Sequence, residues 1–120
     1  KPLPALALTT DTSVITSISN DFSFDEVFSR QLEAIATEKD ILIAISTSGE
    51  SKNIINALKK AKELGMLTLC LTGNSTKNVE KLSDYLISIP SEVTGVVQQS
   101  HITIGQLIAM NIEDNFLDEK

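Results

Sequence analysis

Four hydroxyl side chains, Ser46, Thr47, Ser48 and Ser51, crowd into one short turn around Gly49. Hydroxyls grouped this closely can give several hydrogen bonds to one anion, and a glycine among them lets the backbone approach it. The turn follows an apolar run, Ile41 to Ile45. It opens a segment in which Ile54, Ile55, Ala57, Leu58, Ala61 and Leu64 recur at helical spacing before Gly65. The pattern predicts a strand buried on both faces and then an amphipathic helix whose free N–H groups and positive dipole end point at the turn. The chemistry on offer is phosphate binding by oriented dipoles, since neither lysine nor arginine lies between Ser46 and Ser51. The plainer alternative is a polar connection in which Ser51 serves the helix start. Without a Gly-Lys-Ser/Thr ending or a G-x-G-x-x-G fingerprint, the turn is expected to take a small phosphorylated metabolite rather than a nucleotide.

Positioning such a turn requires a sheet. Four apolar runs, Ala5 to Leu8, Ile41 to Ile45, Leu67 to Leu71 and Tyr85 to Ile89, alternate with helical patterns, which predicts a parallel α/β sheet. A helix is expected over Phe24 to Ile35, with Asp25 and Glu26 at its start, and shorter helical turns over Ser13 to Ile18 and Asn78 to Leu82. From Val96 to Phe116 the spacing predicts a long terminal helix with Gln98, Ile102, Gly105, Ala109, Ile112 and Phe116 in one stripe. Around its axis Gln106 lies about 80° to one side of Gln98 and His101 about 60° to the other, so all three can face a cleft at the helix start. On the simpler expectation they are solvated flank residues. Glu113 to Lys120 reads as a solvated tail.

The 120 residues allow one domain, and 42% apolar with 22% charged content is that of a soluble globular protein. Ten basic against sixteen acidic residues, a net charge of −6 and a single arginine, Arg30, exclude a nucleic-acid backbone or an anionic membrane as direct partner. Cys70 lies inside an apolar run and is expected to be a small buried hydrophobe; a lone cysteine allows no internal disulfide and fits a reducing cytoplasm. Neither a signal peptide nor a membrane-length apolar stretch is present. The start at Lys1-Pro2 reads as a processed or truncated chain.

Several segments in order, Pro4-Ala-Leu-Ala-Leu-Thr-Thr-Asp-Thr-Ser13, Ser19-Asn20-Asp21-Phe22, Phe28-Ser29-Arg30-Gln31, Ile43-Ala-Ile-Ser-Thr-Ser-Gly-Glu-Ser51, Gly65-Met66, Leu71-Thr72-Gly73 and Ile89-Pro90-Ser91 followed by Gln98, resemble the sugar isomerase (SIS) domains, and within them the phosphoheptose isomerase branch. The resemblance implies a single SIS domain over residues 1–120, an α/β fold built as a three-layer α/β/α sandwich with a parallel flavodoxin-like sheet. It implies that Ser46, Thr47, Ser48 and Ser51 grip the phosphate of a sugar phosphate and that Asp21 and Gln98 line the pocket. The implied reaction interconverts sedoheptulose 7-phosphate and D-glycero-D-manno-heptose 7-phosphate through an enediol. A cytoplasmic homotetramer with the terminal helix between subunits is also implied, with zinc at the pocket in some relatives.

The resemblance also marks departures. Isomerases of this branch carry a histidine eight residues after the pocket glutamine, where this chain has Gln106, and Gly95, Val96 and Gln99 replace the usual charged surroundings. A related branch lacking that histidine, the DnaA-initiator-associating proteins (DiaA), binds the replication initiator DnaA as a tetramer. A glycine-rich loop, a catalytic carboxylate, two helices and the first strand of the family precede the matched segments, so these residues are expected to be the C-terminal part of a longer protein.

Overall fold

The computed structural model describes residues 2–117. Helix α1 spans Thr12–Asp21, α2 Ser29–Ile35, strand β1 Ile41–Ser46, α3 Lys52–Glu63, β2 Leu67–Thr72, β3 Tyr85–Ser88 and α4 Thr94–Leu117, with 3₁₀ turns at Phe24–Glu26 and Glu80–Leu82. The strands form one parallel sheet in the order β1-β2-β3, Ile41 level with Leu67 and Leu69 with Tyr85. All three therefore end on the same side, at Ser46, Thr72 and Ser88, the side on which such sheets hold ligands.

Local chemistry sets the element ends. Asp11 caps α1 by accepting the Val14 N–H at 3.0 Å. Gly65, at φ +74°, closes α3, and the next N–H, that of Met66, returns to the Ala61 carbonyl at 2.9 Å. The single helix expected over Phe24 to Ile35 is split. Ser23 Oγ accepts the Asp25 N–H and starts a separate 3₁₀ turn, and Ser29 Oγ donates to Glu26 Oε2 at 2.6 Å. The break turns Glu26 toward α3, where Asn56 donates to Glu26 Oε1 at 3.0 Å and to the Asp25 carbonyl at 3.1 Å. Tertiary hydrogen bonding has overridden helical spacing.

Leu32, Leu42, Ala44, Leu58, Ala61 and Cys70 form the core between α2, α3 and one face of the sheet. Burial pushes the Cys70 thiol above its ordinary pKa, which suits the inert hydrophobe expected of it. No helix among the described residues is long and apolar enough to cross a membrane.

Some expectations are corrected. β1 is buried on one face only: Leu42, Ala44 and Ser46 point inward, while Ile41, Ile43 and Ile45 are 60%, 48% and 53% exposed. Over that second face α4 packs chiefly on β2, where Leu71, the register partner of Ile45, is buried. Ala5 to Leu8 is not a strand, because no described strand lies beside it to supply a ladder; the Leu8 carbonyl instead accepts the Gln31 side-chain amide at 3.0 Å. The stripe Ile102, Gly105, Ala109, Ile112 and Phe116 of α4, for which the resemblance implies a place between subunits, is exposed in the single chain. Glu113 to Phe116 continue that helix instead of forming a tail, and Asp118, Glu119 and Lys120 lie outside the described residues.

Where β3 begins, the Thr68 N–H and hydroxyl both donate to Asp84 Oδ2 at 2.8 Å and hold its carboxyl below the usual carboxylate range. The folded state prefers the charged form. Its contribution is therefore complete above the unfolded value of about 3.9 and is lost as pH falls through the lower folded value. In urea unfolding, Asp84→Asn should be weaker than the parent at pH 7, and the gap should shrink as pH falls below the unfolded carboxylate value of about 3.9. A gap that is constant with pH would show that the carboxylate's charge is not what Thr68 recognises.

Candidate functional site

The hydroxyl-rich turn lies between β1 and α3 and is shaped from beneath. Ser46, buried at the end of β1, accepts the Gly49 N–H on Oγ at 3.1 Å and donates to Ser51 Oγ at 3.3 Å. Its hydrogen bonds are spent on the turn. Ser51 occupies the N-cap position of α3 but makes no side-chain capping bond. Having accepted from Ser46, its own O–H is free to donate outward, beside the first-turn N–H groups of α3 that no intrahelical carbonyl can reach. Ser48 is exposed, and its Oγ accepts the Glu50 N–H at 3.1 Å.

A second turn, after β2, is pressed against the first. The Gly73 N–H donates to the Thr47 carbonyl at 3.1 Å, and Thr72 Oγ1 donates to the Ser75 carbonyl at 3.1 Å. Gly49, at φ +65°, sits so close that a Cβ would overlap the Ser75 oxygen and stand 2.8 Å from Thr72 Oγ1. The expected role of glycine, close approach, is real, but its nearest neighbour is protein backbone.

Above the two turns opens a cavity of about 280 Å³. Thr47 and Ser48 form one wall, Asn74 and Ser75 a second, and the start of α4, with Thr94 and Val97, the third. Two carboxylates, Glu50 and Glu92, also line it, and Glu92 is tied across the mouth by the Asn74 amide at 2.7 Å. No lysine or arginine lines it. Arg30 lies over the Phe22 ring, 3.7 Å from its centroid, and the Lys52 ammonium is 3.8 Å from Asp25. The groups that could hold an anion here are hydroxyls, main-chain N–H groups and the α3 dipole.

Of the residues expected at the site, Thr47 and Ser48 line the cavity, Ser46 lies under its floor and Ser51 caps the adjoining helix. Asp21 is exposed at the end of α1, accepting the Asn20 amide at 2.8 Å, and does not line this cavity. Gln98 follows the lining residue Val97 but is itself exposed, as is Gln106, about 12 Å farther along the helix axis. His101 is neither solvated nor in the cleft: it is buried with Nε2 3.1 Å from the Thr72 carbonyl oxygen. The second and third walls escaped sequence reasoning. Their signal was the recurrence of polar residues, Asn74-Ser75 and Ser91-Glu92, just after strands that end on the same side.

These residues do not fit a zinc ion. Gln98 and Gln106 offer two neutral amides, and no group of three histidine, cysteine, aspartate or glutamate side chains suited to a metal occurs among the described residues.

A parallel sheet flanked by helices, whose strand ends carry a hydroxyl turn, a helix N-terminus and an open polar cleft, defines an α/β protein with its candidate site at the strand ends. The chain belongs to the SIS domain family, whose model matches residues 1–73. It is 47% identical over 118 residues to a phosphoheptose isomerase of Maridesulfovibrio salexigens, covering 98% of this chain and 57% of that protein. With phosphoheptose isomerase 1 of Campylobacter jejuni it is 49% identical over 116 residues, covering 97% and 62%. The structure of the phosphoheptose isomerase GmhA from Neisseria gonorrhoeae superposes with a TM-score of 0.89 at 41% identity, over 92% of this chain and 62% of that one. A phosphoheptose isomerase from Francisella tularensis superposes with a TM-score of 0.91 at 35% identity, over 94% and 61%. The chain thus spans roughly three-fifths of the length of these relatives.

Proposed function

We propose that this chain is the phosphate-binding part of a sugar-phosphate isomerase of the phosphoheptose type, acting on sedoheptulose 7-phosphate. The observation that carries the reading is the cavity whose floor is the Thr47-Ser48 turn at the start of α3. Relatives named phosphoheptose isomerase, aligned over nearly the whole chain, support it. The phosphate would take Thr47, Ser48, Ser51 and the first N–H groups of α3, leaving the polyol to lie along Ser91 and Thr94. Isomerisation needs a group that moves a proton between adjacent carbons. The amides of Gln98 and Gln106 can hydrogen-bond substrate oxygens but do not titrate near neutral pH, so their part is binding and orientation.

The active protein on this reading is a cytoplasmic homo-oligomer, a tetramer by family resemblance. Ile102, Leu107, Met110 and Phe116 of α4 are 57%, 58%, 59% and 64% exposed, and a second subunit would cover them. Gln106 favours one alternative, a DiaA-like tetramer that binds a phosphosugar and DnaA without turnover.

The test is isomerisation of sedoheptulose 7-phosphate by the full-length protein and its Ser48→Ala variant. Turnover by the parent is expected. Ser48→Ala should lower kcat/KM about 10- to 100-fold, the worth of one hydrogen bond to a charged group. A parent that binds the sugar phosphate without converting it would overturn the isomerase reading and favour the adaptor.

A further inference from the structure

The cavity's third wall is carried by α4, a helix that touches the body chiefly at its first turns, where Val97 and His101 are 2% and 4% exposed. His101 faces a carbonyl, which can only accept, so Nε2 must carry the proton and the ring is the Nε2–H tautomer. Its partner is a node. The Thr72 oxygen also accepts the Ile89 N–H at 2.9 Å, the Thr72 hydroxyl holds the Ser75 carbonyl, and the next residue, Gly73, donates to the Thr47 carbonyl. Two consecutive residues at the end of β2, Thr72 and Gly73, thus join the exit of β3, both cradle turns and α4. Gly73 fixes how close the two turns come, since a Cβ there would overlap the Thr47 carbonyl oxygen, while Val97 Cγ2 would sit at ordinary van der Waals distance.

His101 Nδ1 is buried without a hydrogen-bond partner. A structural histidine in a core normally satisfies both nitrogens, and an orphaned buried acceptor opposes folding. Leucine would fill similar space without that cost. What leucine cannot supply is a directional bond that sets the rotation and height of α4 over β2.

We propose that His101 is a positioning residue of the ligand site: through its bond to Thr72 it sets the α4 wall, with Thr94 and Val97, against the phosphate turn, and so governs recognition of the non-phosphate part of the ligand. The inference rests on the sugar-phosphate reading above. The phosphate turn does not depend on it, because Ser46 and Gly49 hold that turn internally. Affinity for inorganic phosphate and affinity for the sugar phosphate therefore respond differently to loss of His101.

Calorimetric titration of the full-length protein with inorganic phosphate and with sedoheptulose 7-phosphate tests this in the parent, His101→Leu and His101→Gln. His101→Leu should keep phosphate affinity within about twofold and lose about tenfold for the sugar phosphate, the worth of one neutral hydrogen bond. His101→Gln, whose amide N–H can reach the same carbonyl, should recover most of that loss. ¹⁵N NMR of the parent should show the ring carrying a proton at Nε2. Equal losses for both ligands would reduce His101 to a general fold residue, and unchanged affinities would remove it from the site; either overturns the proposal. If His101→Leu does not fold, the decision passes to the tautomer and to His101→Gln. A ring protonated at Nδ1 alone, or a glutamine variant equally weakened for both ligands, overturns it. A parent that binds phosphate but not the sugar phosphate refutes the sugar-phosphate reading itself, a result seen before any variant is compared.

Discussion

Gly49→Ala is expected to cost about 2–5 kcal/mol of stability and to weaken inorganic phosphate binding more than tenfold. Two effects add. An L-residue in the left-handed region costs roughly 1–2 kcal/mol, and Gly49 sits at φ +65°. The new methyl would also overlap the Ser75 carbonyl oxygen, and overpacking of that kind costs about 1–3 kcal/mol. The neighbour cannot retreat cheaply, because Ser75 is held by the hydroxyl of Thr72, a residue with no exposed surface. The turn must yield instead. Its N–H then leaves Ser46 Oγ, and the donors of Ser48, Ser51 and the α3 terminus are re-aimed together. Urea unfolding and phosphate titration check the two parts separately. Phosphate affinity within twofold of the parent in a destabilised Gly49→Ala protein would show that the anion does not bind at this turn.

The reasons some features were legible and others not are physical. The turn could be read because its residues act locally: a glycine that must take positive φ, hydroxyls beside it and a helix starting three residues on. Gly65 was readable as a helix stop for the same reason. Burial of β1 was not, because Ile41, Ile43 and Ile45 are apolar whether or not a layer covers them, so composition shows what a face can bury and not what lies on it. Ser46 was grouped with the gripping hydroxyls because spacing counts hydroxyls without showing that a strand's last inward residue points under the turn. The burial of His101 on α4 was hidden for a different reason. That helix is apolar on several sides, with Val97, Ile102, Ile104 and Leu107 spread around it, and periodicity cannot choose among them. The choice is made by the end of β2, which offers the Thr72 carbonyl to His101.

Gln106→His is expected to raise kcat for sedoheptulose 7-phosphate by about 10²–10⁴-fold, the usual worth of a positioned acid or base. The position is two turns beyond Gln98 on the same helix, and relatives of the isomerase branch carry histidine there by resemblance. Its exposure in this chain leaves room for an imidazole without repacking, so the substitution should not disturb the fold. A glutamine amide holds a substrate oxygen equally well from pH 5 to 9, whereas an imidazole titrates near 6.5, about the middle of the physiological range. The gain should therefore come with a new limb in the pH profile of kcat near that value, and KM should change little, because the phosphate contacts are untouched. Phosphate-binding variants provide the cross-check: Ser48→Ala placed on top of Gln106→His should lower kcat/KM by the same factor as in the parent, since the two residues serve separate parts of the substrate. A parent without turnover that gains it with Gln106→His would mark this chain as a phosphosugar fold whose proton-transfer group has been replaced. If kcat and its pH profile do not move, position 106 lies away from the reacting carbons, and the proton is carried by groups that owe nothing to α4.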